Sequence, residues 1–289
     1  MLGFRAVCYL HWIGARMRAP TSADIEQVAE LLREVSEQRI LPRFGQLAAG
    51  EIEHKATAGD ATDLVTDVDR KVEEWLTVQL QRLLPGSVVV GEEAVHSDVG
   101  KLATLGNGHR IWLIDPIDGT RNFVLGNPHF GVMVALIERG RARAAWITLP
   151  ALGEMFVAEE GAGAYRDGVR LRVPPAELTG PPRGDIHTKF MPAETRRRIE
   201  SWRPPRYTPG TPSCAAVEYA ALAQGHKDFS VYYRLLPWDH APGALILREA
   251  GGRVTCINGQ PYGVTQQNQI MVAAGSAAVD AKVRSWFQG

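Results

Sequence analysis

Apolar residues recur at two periods along this chain, and the change of period marks out its elements. Ile25, Val28, Ala29, Leu32 and Val35 fall three and four apart, the spacing of one helix face. Ser22 or Asp24 is placed to cap that helix and Pro42 to limit it. Val68, Val72, Trp75, Leu76, Leu80 and Leu83 form a second stripe, opened by the acidic turn Thr66-Asp67-Val68-Asp69 and closed by Pro85-Gly86. Residues 56–62 between the two stripes read as a loop, and Leu64-Val65 as the end of a short strand. The continuous apolar runs Ser87–Val90 and Ile111–Ile114 read as buried strands, the second ending at Asp115, with a glycine-rich loop at 100–108 between them. Residues 130–137 and 143–149 pair across Arg139-Gly140, and 154–158 and 163–173 read as further strand with a hairpin turn at Asp167-Gly168. Beyond Pro174-Pro175 and Pro181-Pro182 the pattern alternates strand and helix. Ala215–Leu222 is helical, and Asp239 caps a helix that runs to Ala250 and stops at Gly251-Gly252.

This is an α/β pattern with no break that demands independent domains. Residues 1–20 form an extension, with Met17 as an alternative start. Residues 21–289 form one unit of two lobes, about 21–150 and 151–289. Arg5, His11, Arg16 and Arg18 spoil the first segment as a signal peptide, and no apolar run is long enough to span a bilayer.

Composition narrows the partners. Lys+Arg and Asp+Glu both number 32, so the formal charge is zero, which excludes a polycation built for nucleic acid or an anionic membrane. The Arg196-Arg197-Arg198 triplet reads as a solvated helix face. Three scattered cysteines, Cys8, Cys214 and Cys256, make no disulfide framework or zinc motif and fit a reducing compartment, so a cytoplasmic protein is expected.

The informative chemistry lies in where the acids fall. Glu92-Glu93 follow one apolar strand, Asp115 and Asp118 follow another, and Asp239 opens a helix. Carboxylates at strand ends and helix starts converge at one edge of a sheet, where α/β proteins build sites. Converging carboxylates repel unless a cation neutralises them, and hard oxygen donors suit magnesium or manganese. If a helix starts at Gly119-Thr120, its free N–H groups hold an anion such as phosphate. Metals beside a phosphate cradle imply hydrolysis of a phosphate ester. Asp67 and Glu73, each taken alone, read as solvated or helix-capping acids, and Asp239 alone reads as a helix cap rather than a ligand.

Asp115-Pro-Ile-Asp118-Gly-Thr120, followed by Arg121-Asn122-Phe123, resembles the signature of the inositol monophosphatase family of magnesium-dependent, lithium-sensitive phosphatases. Trp238-Asp239-His-Ala-Pro-Gly243 with Glu249-Ala-Gly-Gly252, Gly91-Glu92-Glu93, and Asp63-Leu-Val-Thr66-Asp-Val-Asp69 resemble its other elements, in order, from residue 22 onward. The resemblance implies a layered αβαβα sandwich of the inositol monophosphatase/fructose-1,6-bisphosphatase type, often homodimeric. It implies that Glu92, Asp115 and the Ile117 carbonyl bind a first Mg2+, that Asp115, Asp118 and Asp239 bind a second, and that a third leans on Glu92. Thr120 and Asp69 would orient or help activate the attacking water, Gly119 and Thr120 N–H groups would hold phosphate, and Asp63 would support the site.

The resemblance departs at the substrate pocket. Counting back from Trp238-Asp239, the Gly-Thr-Ala element of inositol-selective members falls on Ser213-Cys214-Ala215, and their hydroxyl-binding glutamate falls on Tyr232. A polyol pocket without that carboxylate loses a hydrogen bond worth roughly 1.5–3 kcal/mol. Arg121 reads as a brace or as a contact for a second anionic group. His187 and Lys189 read as a solvated loop, with a substrate contact as the alternative. The expected substrate is an inositol-1-phosphate-like polyol or sugar phosphate, with histidinol phosphate, fructose 1,6-bisphosphate or a 3′-phosphonucleotide as alternatives. A non-catalytic phosphate-binding regulator is the contrasting reading, and the presence of all four carboxylates argues against it.

Overall fold

The structure, a computed structural model, describes residues 21–55, 64–106, 108–174, 180–202 and 214–287. In chain order the elements are α1 (Ser22–Val35), β1 (Ile52–His54), β2 (Leu64–Thr66), α2 (Asp67–Leu83), β3 (Val88–Gly91), α3 (Glu92–Ser97), β4 (Arg110–Asp118) and α4 (Thr120–Val124). There follow β5 (Gly131–Glu138), β6 (Arg141–Leu149), β7 (Glu154–Glu159), β8 (Gly163–Arg166), β9 (Val169–Arg170), β10 (Gly184–Ile186) and α5 (Ala193–Trp202). The last are α6 (Ala215–Ala223), β11 (Phe229–Tyr232), α7 (Pro237–Glu249), β12 (Arg253–Cys256), β13 (Met271–Ala274) and α8 (Ala277–Ser285).

Two main sheets organise the molecule. The first has seven strands in the order β3-β4-β5-β6-β7-β8-β9, with β3 and β4 parallel and every other pair antiparallel. It continues past residue 150 to Arg170. The second has four strands in the order β10-β11-β13-β12. Strand alternation sends successive side chains to opposite faces. Trp112 and Ile114 of β4 therefore join Leu32, Val72 and Leu76 of α1 and α2 in one buried cluster. Ile111 and Leu113 join Tyr219, Leu245 and Leu247 of α6 and α7 in another. That second cluster also takes Val254, Met271 and Ala273 from the small sheet, so α6 and α7 lie sandwiched between the sheets. Phe229, Val231, Val272 and Ala274 turn the other way onto Ile199 of α5 and Val279 and Val283 of α8. The layers run helix, sheet, helix, sheet, helix, the expected αβαβα arrangement.

Several local expectations are corrected. The cap of α1 is Thr21, whose hydroxyl accepts from Asp24 N–H while the Asp24 carboxylate accepts from Thr21 N–H, a reciprocal capping box. The 100–108 stretch is largely a 3-10 helix, Val99–Gly106, which buries Leu105. Strand β4 does not stop at Asp115. It runs on to Asp118 across a register shift against β5, the irregularity of a bulge that re-aims side chains. Strands β8 and β9 end at Arg170 rather than 173. Asp239 does not cap α7: Leu236 is the N-cap, Pro237 takes the first position, and Asp239 sits in the first turn. Proline at a first helical position needs no N–H and comes with a helical φ. In α2, Trp75 and Leu83 are only half-buried, while Glu73 is buried.

Candidate active site

The register of the parallel pair brings the acids together. Gly91 of β3 lies opposite Ile114 of β4, so Glu92 and Asp115, one residue further on, leave the sheet side by side at its carboxyl edge. The bulged continuation of β4 delivers Asp118, and the first turn of α7 delivers Asp239. All four carboxylates line a single cavity of about 570 Å3 with Ile117, Gly119, Thr120 and Tyr232. Gly119 has a φ of 83°, the left-handed region that suits glycine. A Cβ there would meet Cys214 Cβ at 3.2 Å and the His129 carbonyl oxygen at 3.3 Å.

The carboxylates feel one another. Burial, then Glu92, Asp118 and Asp239, push Asp115 well above the usual carboxylate range. Burial, then Asp118 and Glu92, do the same to Asp239. Desolvation raises Asp118 to about 6 even though the Ala216 N–H and the Cys214 thiol donate to it. Asp115 Oδ1 is buried and has no hydrogen-bond partner. Such an oxygen wants a cation, and oxygen donors of this kind fit magnesium. Among the described residues no three His, Cys, Asp or Glu side chains are yet gathered around a common point. Glu92 is drawn aside by Lys55, 2.6 Å away. Asp118 is drawn onto the start of α6, 2.6 Å from Ala216 N and 3.0 Å from Cys214 Sγ.

Asp69 has two jobs. Its Oδ2 accepts from the Thr66 N–H at 2.8 Å, completing a capping box on α2. Its Oδ1 lies 3.1 Å from the Thr120 hydroxyl, which also lies 3.0 Å from the Ile117 carbonyl oxygen. Burial raises Asp69 to about 6. The expected substrate residues divide. Ala215 and Tyr232 line the cavity. Cys214 is buried, and its thiol donates to Asp118. Burial pushes that thiol well above its ordinary pKa, so it is no nucleophile. Ser213 and Asp63 lie outside the described residues.

Two residues with no expected role in the site support it. Lys55, 37 residues before Glu92, donates to both Glu92 and Glu93 at 2.6 Å. Glu73, from the buried side of α2, accepts from the N–H groups of Glu93 and Ala94 at 2.8 and 2.9 Å. It thereby caps α3, the helix that Glu92 begins, and its carboxyl carbon occupies the space 2.2 Å from where a Gly91 Cβ would stand. Burial raises Glu73 to about 7, so the cost of Glu73→Gln lies in the amide NH2 that must face one of the two N–H donors, and stability falls by about 1–2 kcal/mol. Turnover falls with it through a looser Glu92. Thermal melts and kinetics on the purified variant read both, and unchanged values in both would remove Glu73 from the site.

His187 and Lys189 line the cavity from a loop, His187 half-buried and Lys189 exposed. The His187 ring stacks on Tyr232, with centroids 4.9 Å apart and planes 10° apart. Behind them Glu218 accepts from Lys227 at 2.7 Å and Ser230 at 2.9 Å, with His187 Nε2 3.9 Å away. Burial alone would raise Glu218, but His187 and Lys227 hold it at about 2. A carboxyl depressed from its ordinary 4.5 to about 2 contributes stability that is present above pH 4.5 and lost as pH falls toward 2, about 3 kcal/mol in all. Acid titration of unfolding free energy reads this, and Glu218→Gln flattens the curve over that window. His240 is kept neutral, near pKa 3, chiefly by burial. With no proton to spare, its Nε2–H donates to the Arg234 carbonyl at 3.1 Å and its Nδ1 accepts from Tyr219 at 3.2 Å. Of the arginine triplet, Arg197 and Arg198 are exposed on α5, whereas Arg196 turns back to donate to the Lys189 carbonyl.

Fold and site together define a phosphoric monoester hydrolase. The chain matches the inositol monophosphatase family over residues 24–285 and belongs to it. The fructose-1,6-bisphosphatase/inositol-1-monophosphatase of Thermotoga maritima is 32% identical over 245 residues, spanning 80% of this chain and 88% of that protein. The Nus factor SuhB of Pseudomonas aeruginosa is 34% identical over 211 residues, spanning 69% and 74%. Among solved structures, a Thermotoga maritima IMPase superposes with a TM-score of 0.75 at 28% identity, covering 92% of this chain and 97% of its own. Among the described residues no helix is long and apolar enough to cross a membrane.

Proposed function

We propose that the chain is a Mg2+-dependent phosphomonoesterase acting on a small phosphate ester. The observation that carries this reading is the buried, unpartnered Oδ1 of Asp115 in a cavity lined by three further carboxylates. Glu92, Asp115 and the Ile117 carbonyl would hold one ion, and Asp115, Asp118 and Asp239 a second, with a third weaker ion at Glu92. Manganese suits the same donors. Ions held by these residues would supply Lewis acidity, lowering the pKa of a water and offsetting charge on the leaving oxygen.

The chain's own groups do the rest. Asp69 Oδ1 and the Ile117 carbonyl both face the Thr120 hydroxyl. Its single proton is committed to them, which leaves the Thr120 oxygen lone pairs to accept a hydrogen bond from the attacking water and aim it. Gly119 and Thr120 N–H groups, at the mouth of α4, would hold the phosphoryl oxygens. Ala215 and Tyr232, with Ser213 by sequence position, would meet the leaving group. A homodimer, a cytoplasmic location and lithium sensitivity belong to the same proposal. Retention of all four carboxylates together with the Thr120–Asp69 pair supports catalysis over a purely phosphate-binding regulator.

The test is phosphate release with magnesium from inositol 1-phosphate, histidinol phosphate, fructose 1,6-bisphosphate and a 3′-phosphonucleotide. The expected result is turnover of at least one ester, abolished by Asp118→Asn. No release from any ester with magnesium demonstrably bound, or activity untouched by Asp118→Asn, overturns the reading.

A further inference from the structure

Asp239 reaches the cavity on a turn with few supports of its own. Strand β11 ends at Tyr232, and α7 begins at Pro237 with no side-chain hydrogen bond at its N-cap. Between them, the carbonyls of Arg234 and Leu236 are the backbone groups that find hydrogen-bond partners among the described residues, and both partners belong to His240. Its Nε2–H donates to Arg234 at 3.1 Å and its backbone N–H to Leu236 at 3.3 Å. The His240 ring is itself fixed. It is buried, its Nδ1 accepts from the Tyr219 hydroxyl at 3.2 Å, and it stands edge-on to the Tyr232 ring with centroids 4.7 Å apart. Tyr219 is fully buried and fits against α7 because position 243 is glycine, where a Cβ would stand 2.1 Å from the Tyr219 ring.

A side chain that bonds a carbonyl six residues back closes the turn between β11 and α7. A neutral imidazole offers one donor and one acceptor, and here both are committed, so the ring has no slack. Asp239 precedes His240 in the first turn of α7, and its carboxylate enters the cavity at a depth set by that turn. Magnesium demands near-ideal oxygen geometry, so its affinity is sensitive to groups that orient a ligand without touching the ion. We propose that His240 is a positioning residue for the metal site: through the Arg234 carbonyl it fixes the turn that presents Asp239 and the Tyr232 ring to the cavity. This rests on the metal-dependent phosphatase reading and adds to it a residue that acts through the turn rather than on the ester.

Variants that split the two ring bonds test it. His240→Gln puts an amide donor where Nε2–H stands. His240→Asn puts an amide oxygen where Nδ1 stands and falls short of Arg234. His240→Phe keeps a ring and loses both bonds, and Tyr219→Phe removes the Nδ1 partner alone. The magnesium concentration for half-maximal turnover, and for half the rise in melting temperature, should increase about tenfold in His240→Phe and His240→Asn. Turnover number should fall by a similar factor, with KM for the ester at saturating magnesium within about twofold of the parent. His240→Gln and Tyr219→Phe should stay near the parent in both. A merely structural histidine would lower the melting temperature in EDTA and leave the magnesium dependence where it was, which overturns the proposal, as does a His240→Gln no better than His240→Phe. If His240→Phe fails to fold, His240→Asn against His240→Gln gives the same comparison. If no ester is hydrolysed, the phosphatase reading is what fails, and the magnesium dependence of melting then decides the role of His240 by itself. A shift in His240→Asn that His240→Gln does not show upholds it. An equal response in all variants, or none in the parent, overturns it.

Discussion

Asp115→Asn drops phosphate release by roughly a thousandfold or more, because several kcal/mol of transition-state stabilisation rest on the cations it would hold. The same change does not weaken the fold in EDTA. Asp115 Oδ1 is buried without a partner, and Glu92, Asp118 and Asp239 all disfavour its charge. A neutral amide of the same shape removes that repulsion, so the melting temperature in chelator holds or rises. In the parent, an ion at a hundred times its Kd adds about 2.7 kcal/mol. The variant loses most of that gain. Melts with and without magnesium, run beside the activity assay, separate the two effects. Retained turnover would remove Asp115 from the chemistry. A collapse in EDTA would make it a structural residue.

The reach of the interactions explains what was legible beforehand. Asp115, Ile117, Asp118, Gly119 and Thr120 belong to one strand-to-helix turn, so six consecutive residues announce both the geometry and the donors. The αβαβα layering was legible because β4 alternates cleanly, with Trp112 and Ile114 on one face and Ile111 and Leu113 on the other. Asp69 was readable as a first-turn acid and, by resemblance, as a residue that helps activate the attacking water; in the structure it caps α2 and accepts from the Thr120 hydroxyl.

Other roles depend on distance in sequence. Glu73 neighbours Val72 on α2 and reads as a solvated helical acid, and only the approach of α3 from 20 residues away makes it a cap. Glu218 likewise looks like a polar break in an alanine-rich helix until Lys227 and Ser230 arrive from the next turn and strand. A buried glutamate on an apolar helix face was the available signal in both cases, since such groups are almost never buried unpaired. The misassigned cap at Asp239 had a local remedy: Pro237 two residues earlier already marks the start of α7.

Lys55→Met carries the largest expected cost to the fold. Lys55 and Glu93 are only 6% and 9% exposed, and the ammonium bonds Glu93 and Glu92 at 2.6 Å each. Removing the cation leaves Glu93 a buried carboxyl whose charge burial and Glu92 both oppose and only Lys55 offsets. Breaking a buried pair by deleting one partner costs about 3–5 kcal/mol, most of it the stranded charge. For a chain of this size that is a fall of roughly 10 °C in melting temperature. Because the cost lies in the stranded acid rather than in a lost contact, Lys55→Met/Glu93→Gln should be far less damaged than the sum of its two single changes. A double-mutant cycle in EDTA, where no added ion can stand in for the ammonium, measures that coupling. A loss below about 1 kcal/mol for Lys55→Met, or strict additivity in the cycle, would show the pair to be solvated and would return Lys55 to the surface. A strong coupling would make Lys55 the internal counter-ion that lets Glu92 and Glu93 stand together at the end of β3 before any metal arrives.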